Sequence, residues 1–106
     1  MAQCRNISFD EAKHLLDTVP GAVLLDVRDP DEYELSHALG ARLLPVDSIT
    51  TESAAALLPD PDAPVLVYCK TGIRSEKAAE KLLALGYTQL YDIGSLIGWP
   101  YGLDYD

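Results

Sequence analysis

Apolar positions along this chain switch repeatedly between two spacings, one helical and one continuous. Ser8-Phe9-Asp10-Glu11 has the form of a capping box, in which a serine oxygen takes a free helix N–H and the glutamate three residues on reaches back. Ala12, Leu15, Leu16 and Val19 follow at helical spacing and stop at Pro20-Gly21. The segment from Ala22 to Val27 is then nearly all apolar, the pattern of a strand buried on both faces. Asp29-Pro30-Asp31-Glu32 predicts a second, short helix to about Leu35, with proline at its first position. Ala41 to Leu44 predicts a short strand ended by Pro45, and Thr51 to Leu58 an Ala-rich helix closed by a Pro/Asp breaker series to Pro64.

The second half is plainer. Val65-Leu66-Val67-Tyr68 is the clearest strand, and Ser75 to Leu85 the clearest helix, with Ala78, Ala79, Leu82 and Leu83 on one face. Gly86 falls where a left-handed C-cap is expected. Gln89 to Ile93 reads as a last strand, and Ser95 to Trp99 as one further turn. Strands alternating with helices at this spacing predict an α/β fold. The expectation is a parallel sheet of four or five strands with helices on both faces, in one domain over residues 1–106.

Composition narrows the function classes. With 8 Lys+Arg against 17 Asp+Glu the net charge is −9, which argues against nucleic acid or an anionic membrane as partner. No apolar run approaches the roughly 18 residues of a membrane span, and Met1 to Asn6 lacks a signal-peptide stretch. The expectation is a cytoplasmic domain. Cys4 and Cys69 are the two cysteines, too few for a disulfide framework or a four-cysteine zinc site. Neither a metal nor a cofactor is expected.

Charge is unevenly spread. Lys70, Arg74, Lys77 and Lys81 outnumber Glu76 and Glu80 in the one locally basic stretch, which also holds Cys69. Lys77 and Lys81 read as helix-surface charges. Cys69 ends the best strand, just before the best helix, where ligands gather in open α/β sheets. The loop Cys69-Lys70-Thr71-Gly72-Ile73-Arg74, leading into Ser75, is short enough to aim backbone N–H groups at one point. The helix dipole adds positive potential there. These effects favour a reactive thiolate, helped by Lys70 and Arg74, and the same nest would hold a small anion. Gly72 supplies backbone freedom for the turn, and Ser75 is expected to cap the helix. Arg74 is read two ways, as an ion-pair partner of Asp26 or Glu34, or as a substrate contact. His37 is a candidate general base that nothing places near Cys69; His14 reads as a surface residue. Cys4 reads as a bystander, with disulfide resolution of Cys69 as the other option.

Leu24-Leu25-Asp26-Val27-Arg28 with Glu32-Tyr33, and Val65 through Ser75 with its C-x-x-G-x-R-S pattern, resemble the two main signatures of the rhodanese homology domain. His37 to Ala41 and Gly94 to Trp99 resemble two further stretches of that family. Leu39 stands for its usual proline and Ser95 for a second glycine, both expected in loops at the site rim. The resemblance implies a persulfide mechanism. Cys69 would take a sulfane sulfur from a small anionic donor such as thiosulfate and pass it to a thiol, to cyanide or to an acceptor protein. Lys70, Thr71, Gly72, Ile73, Arg74 and Ser75 would then bind the substrate, with Lys70 attracting the donor.

Other functions stay open. A cysteine-dependent phosphatase or arsenate reductase uses five residues between cysteine and arginine, whereas four separate Cys69 from Arg74. A non-catalytic binding module of the same fold typically lacks the cysteine. A redox role lacks a C-x-x-C pair.

Overall fold

A computed structural model describes residues 3–104. Met1, Ala2, Tyr105 and Asp106, the extremes of the expected domain and of its acidic, aromatic tail, lie outside the described residues. In chain order the elements are β1 (Cys4–Asn6), α1 (Phe9–Thr18), β2 (Val23–Asp26), α2 (Pro30–Leu35), β3 (His37–Ala38) and β4 (Arg42–Leu43). A 3-10 turn at Val46–Ser48 precedes α3 (Thr51–Leu57), β5 (Val65–Cys69), α4 (Ile73–Ala84), β6 (Leu90–Ser95) and β7 (Leu103–Asp104). The main sheet has the order β1-β6-β5-β2-β4, parallel at every pairing. The fold is α/β, as expected.

Burial explains why β5 is the central strand. All five of its residues are buried, and successive side chains serve opposite faces. Val65, Val67 and Cys69 pack with Ala78, Ala79 and Leu82 of α4 and with the α3 side of the molecule. Leu66 and Tyr68 pack with Ala12 of α1, Leu24 and Ala38. Helices therefore cover both faces, which is why β2 and β5 are apolar runs without alternation.

Local signals hold where they were strong. Ser8 Oγ accepts from the Glu11 N–H, and Glu11 accepts from the Ser8 N–H, both at 3.1 Å. This reciprocal bonding holds the Glu11 carboxyl below the usual glutamate range. Gly86 adopts φ +102° at the end of α4.

Two features differ from the sequence reading. β1 joins the sheet edge through β6, although three residues carry no periodicity. β3 and β7 form a separate antiparallel pair, so the segment after Trp99 returns across the molecule. The turn expected between Ser95 and Trp99 is present, with the Trp99 N–H donating to Leu96 O at 3.0 Å.

Candidate active site

The site is built where β5 runs out. Cys69 is its last residue and α4 begins at Ile73, so Lys70, Thr71 and Gly72 form the whole connection. Gly72 is the N-cap, at φ +97°, a left-handed conformation that glycine adopts without a Cβ penalty. This corrects the expectation for Ser75. Ser75 lies buried in the first turn of α4, and its hydroxyl donates to Gly72 O at 2.9 Å rather than capping the helix.

The left-handed turn folds the loop back over the sulfur. The Gly72 N–H donates to Cys69 Sγ at 2.9 Å, and Cys69 itself is fully buried. A helix leaves its first four N–H groups without intrahelical acceptors. Here Gly72 gives its own to sulfur, and those of Ile73, Arg74 and Ser75 open from the same end. Two carbonyls at the start of the loop are held from outside. Cys69 O accepts from the Leu96 N–H at 2.9 Å, and Lys70 O accepts from the Ser95 hydroxyl. In a planar trans peptide the N–H opposes the C=O, so the Thr71 N–H is turned away from Ser95.

β6 is shaped for that grip. Its register slips between Val67/Asp92 and Tyr68/Gly94, which brings Ser95 opposite Cys69. The Asp92 carboxylate secures the slip by accepting from the Gly94 N–H at 2.8 Å. Ser95 thus closes the strand and grips the active loop, where a rim loop was expected. Leu39 lies apart from the Lys70 depression, beside Gly102.

Arg74 does not pair with Asp26 or Glu34. Its guanidinium makes a two-pronged ion pair with Glu32, at 2.5 and 3.0 Å, and lies 3.9 Å from Asp29. The hydrogen bond and charge of Arg74 hold the Glu32 carboxyl down to about 2. Glu34 is exposed. Asp26 is fully buried and already engaged: Arg28 Nη2 reaches it at 2.7 Å and Tyr68 Oη at 2.6 Å. The same phenol accepts from the Ala38 N–H, and Arg28 also donates to Ser36 O. Burial first, then the bond to Asp26, pushes the Tyr68 phenol well up. This Asp26–Arg28–Tyr68 network was not read from the sequence. The only hint was a charged pair, Asp26 and Arg28, interrupting an apolar run.

Lys70 is exposed and makes no ion pair or side-chain hydrogen bond among the described residues. It lines a depression of about 380 Å³ with Leu35, Leu96, Ile97, Trp99 and Leu103. Thr71 is exposed on the loop, and Ile73 is exposed at the start of α4. His37 is buried in β3, stacked on Tyr33 with its Nδ1 2.8 Å from Tyr33 O. It is not brought to Cys69. His14 is exposed, as read.

Cys4 lies at the other end of the sheet. It pairs with Leu90, which pairs with Val65, four residues before Cys69. At about 3.3 Å per residue the cysteines are at least about 13 Å apart, beyond the ~7 Å Cα limit of a disulfide. Burial, then the Asp92 carboxylate, pushes the Cys4 thiol up to about 11. The resolving-disulfide option is excluded in this conformation. Among the described residues no group of three or more His, Cys, Asp or Glu is placed to hold a metal, and no helix is long and apolar enough to cross a membrane.

The model of the rhodanese-like domain family matches residues 8–99, from the first cap to Trp99. The chain belongs to that family. This rhodanese-like domain is 36% identical over 93 residues to the thiosulfate sulfurtransferase GlpE of Pseudomonas fluorescens, covering 88% of the chain and 81% of the relative. It is 34% identical over 99 residues to the probable adenylyltransferase/sulfurtransferase MoeZ of Mycobacterium tuberculosis, covering 92% of the chain. The domain spans only 25% of that mycobacterial protein. Among solved structures, a rhodanese with anions from E. coli superposes with TM-score 0.74 at 32% identity, covering 80% of this chain and 99% of that one. A thiosulfate sulfurtransferase from Pseudomonas aeruginosa gives 0.81 at 32% identity, over 96% of this chain and 20% of its own.

Proposed function

We propose that this domain is a sulfurtransferase acting through a persulfide on Cys69. The observation that carries the reading is the Gly72 N–H donated to Cys69 Sγ at 2.9 Å from a left-handed helix cap. That donor and the open N–H groups behind it favour negative charge on sulfur, and the helix end adds to them. The family relatives named thiosulfate sulfurtransferases support the same chemistry.

In the loading step the Cys69 thiolate attacks the outer sulfur of thiosulfate. The sulfur–sulfur bond of the donor breaks, sulfite leaves with its electron pair, and Cys69–S–S⁻ forms. An acceptor thiolate or cyanide then attacks the outer sulfur, and Cys69 departs as thiolate. Charge balances in both steps, and no outside oxidant or reductant enters. Lys70 supplies local attraction for the dianionic donor against the acidic body. Thr71 and the N–H groups from Gly72 to Ser75 surround the transferred sulfur.

Phosphoryl chemistry fits less well. A phosphate loop needs a guanidinium directed at the oxyanion, and that of Arg74 is engaged by Glu32 on two prongs. Arg74 is therefore proposed to hold the loop against α2 instead of binding the donor.

The test is thiocyanate formation from thiosulfate and cyanide. Wild type is expected to turn over, and Cys69→Ala to lose the activity. Turnover retained in Cys69→Ala, or absent in wild type with every sulfane donor, overturns the reading. Lys70→Ala is expected to raise the KM for thiosulfate and flatten its dependence on ionic strength. An unchanged salt profile removes Lys70 from the site.

A further inference from the structure

Beside the loop that follows Cys69 lies a depression larger than thiosulfate or cyanide needs. Leu35, Ile97 and Leu103 are 78%, 73% and 42% exposed, and all three line the depression that begins at Lys70. The Trp99 ring forms part of its wall, held edge-on by Phe9 at 5.5 Å and Tyr101 at 5.3 Å. A depression of about 380 Å³ lies in the size range of organic ligands and peptide side chains. Solvated leucine and isoleucine tips gathered at one rim mark a contact surface more than a core defect.

Charge around this rim is ordered in two rings. Inside, Arg28 is paired with Asp26 and Arg74 with Glu32, so Lys70 is the cation left for a small anion. Outside, Asp31 and Glu34 on α2 are exposed, and the Asp29 carboxylate is 65% exposed. Asp31 precedes Leu35 by four residues, so carboxylate and leucine tip share one helix face. On β7, Asp104 is 56% exposed next to Leu103, with its carboxylate 4.0 Å from His37 Nε2 on the inner side. An incoming partner therefore meets apolar surface at the centre and carboxylates at the edge.

We infer that the sulfur acceptor is a cysteine in a polypeptide, flanked by apolar residues that cover Leu35 and Ile97 and by Lys or Arg that face the acidic edge. The inference rests on the persulfide reading. The acceptor thiolate attacks the outer sulfur, the bond between that sulfur and Cys69 breaks, and the acceptor leaves as a persulfide. Donor and acceptor thus have opposite demands. The donor is a small anion drawn by Lys70, and the acceptor is an apolar, cationic surface drawn by the rim.

The experiment loads the protein with thiosulfate, confirms the added sulfur by intact mass, and follows discharge in single turnovers. Three blocked peptides serve as acceptors: Lys-Leu-Cys-Leu-Lys, Glu-Leu-Cys-Leu-Glu and Lys-Ser-Cys-Ser-Lys. Each rate is divided by that peptide's rate with a small-molecule disulfide, which removes differences in intrinsic thiol reactivity. The lysine–leucine peptide is expected to discharge Cys69 about tenfold faster than either other peptide, the scale of two apolar contacts or a few weak charge pairs. Its advantage over the glutamate peptide is expected to shrink as salt rises. The double variant Leu35→Ser/Ile97→Ser, altered at exposed tips, is expected to abolish the leucine advantage while thiosulfate loading and cyanide discharge keep their rates. Equal normalised rates for the three peptides, or a leucine advantage surviving in the double variant, overturn the inference and leave the persulfide reading standing. Failure of every donor to load Cys69 removes both.

Discussion

The two ends of the parallel sheet each hold a cysteine, and the ends differ in almost every other respect. At the carboxyl end, Cys69 faces a helix N-terminus, receives an N–H at 2.9 Å, and lies beside charges that are paired with one another. At the amino end, Cys4 sits on an edge strand beside Asp92 and Glu76, with its thiol pushed up to about 11 by burial and those carboxylates. Parallel strands direct the following loops and helix N-termini to one end only. What a cysteine can do here follows from which way the backbone around it points.

The sharpest way to break this contrast is to unpair the carboxyl end. Arg28→Leu leaves the Asp26 carboxylate buried beside a phenol, with no cation. A loss of about 3–5 kcal/mol is expected, from uncompensated buried charge, measured by urea unfolding. A loss under about 1 kcal/mol would show that the network is not what holds this end together.

Gly72→Ala tests the turn itself. Its Cβ would meet Gly94 Cα at 3.8 Å, an ordinary contact, so the cost is conformational. About 1–2 kcal/mol of stability is expected to go, the penalty for a left-handed residue with a Cβ. Sulfur transfer to cyanide is expected to fall as the N–H turns off the sulfur. Wild-type turnover in this variant would dissociate the left-handed cap from the chemistry.

Glu32→Gln probes the clamp between α2 and the loop. This partly exposed pair is expected to contribute about 1 kcal/mol at neutral pH. Because the folded Glu32 carboxyl is held at about 2, below its unfolded value of about 4.3, its contribution is full above the unfolded value. It fades as pH falls toward 2. The stability gap between wild type and variant should therefore close on acidification. A gap that is constant from pH 7 to 2 would contradict the pairing. Cys4→Ser is expected to do least, leaving sulfur transfer unchanged and stability within about 0.5 kcal/mol; a lost turnover would make the amino end part of the mechanism.

These sites also separate what a sequence discloses from what it hides. The capping box of Ser8 with Glu11 and the apolar run of β5 are local, so α1, β5 and the strand-end position of Cys69 were legible. The α4 start was misplaced because a serine resembles a cap, whereas Gly72 closes the helix through a left-handed backbone conformation. Glu32 as partner of Arg74 depends on α2 packing against a loop 42 residues away. The phenol of Tyr68 bonding to Asp26 across two strands has the same long-range origin. β3 and β7 pair residues more than sixty positions apart, with two residues each and no periodicity. Short-range signals exposed the elements. The contacts that organise charge around the sulfur came only with the fold.

The most direct test is the intact mass of the protein after incubation with thiosulfate and removal of small molecules. One added sulfur atom is predicted in wild type and in Cys4→Ser, lost on treatment with cyanide or dithiothreitol and absent in Cys69→Ala. An unmodified wild type, or a sulfur that persists when Cys69 is replaced, would contradict the account.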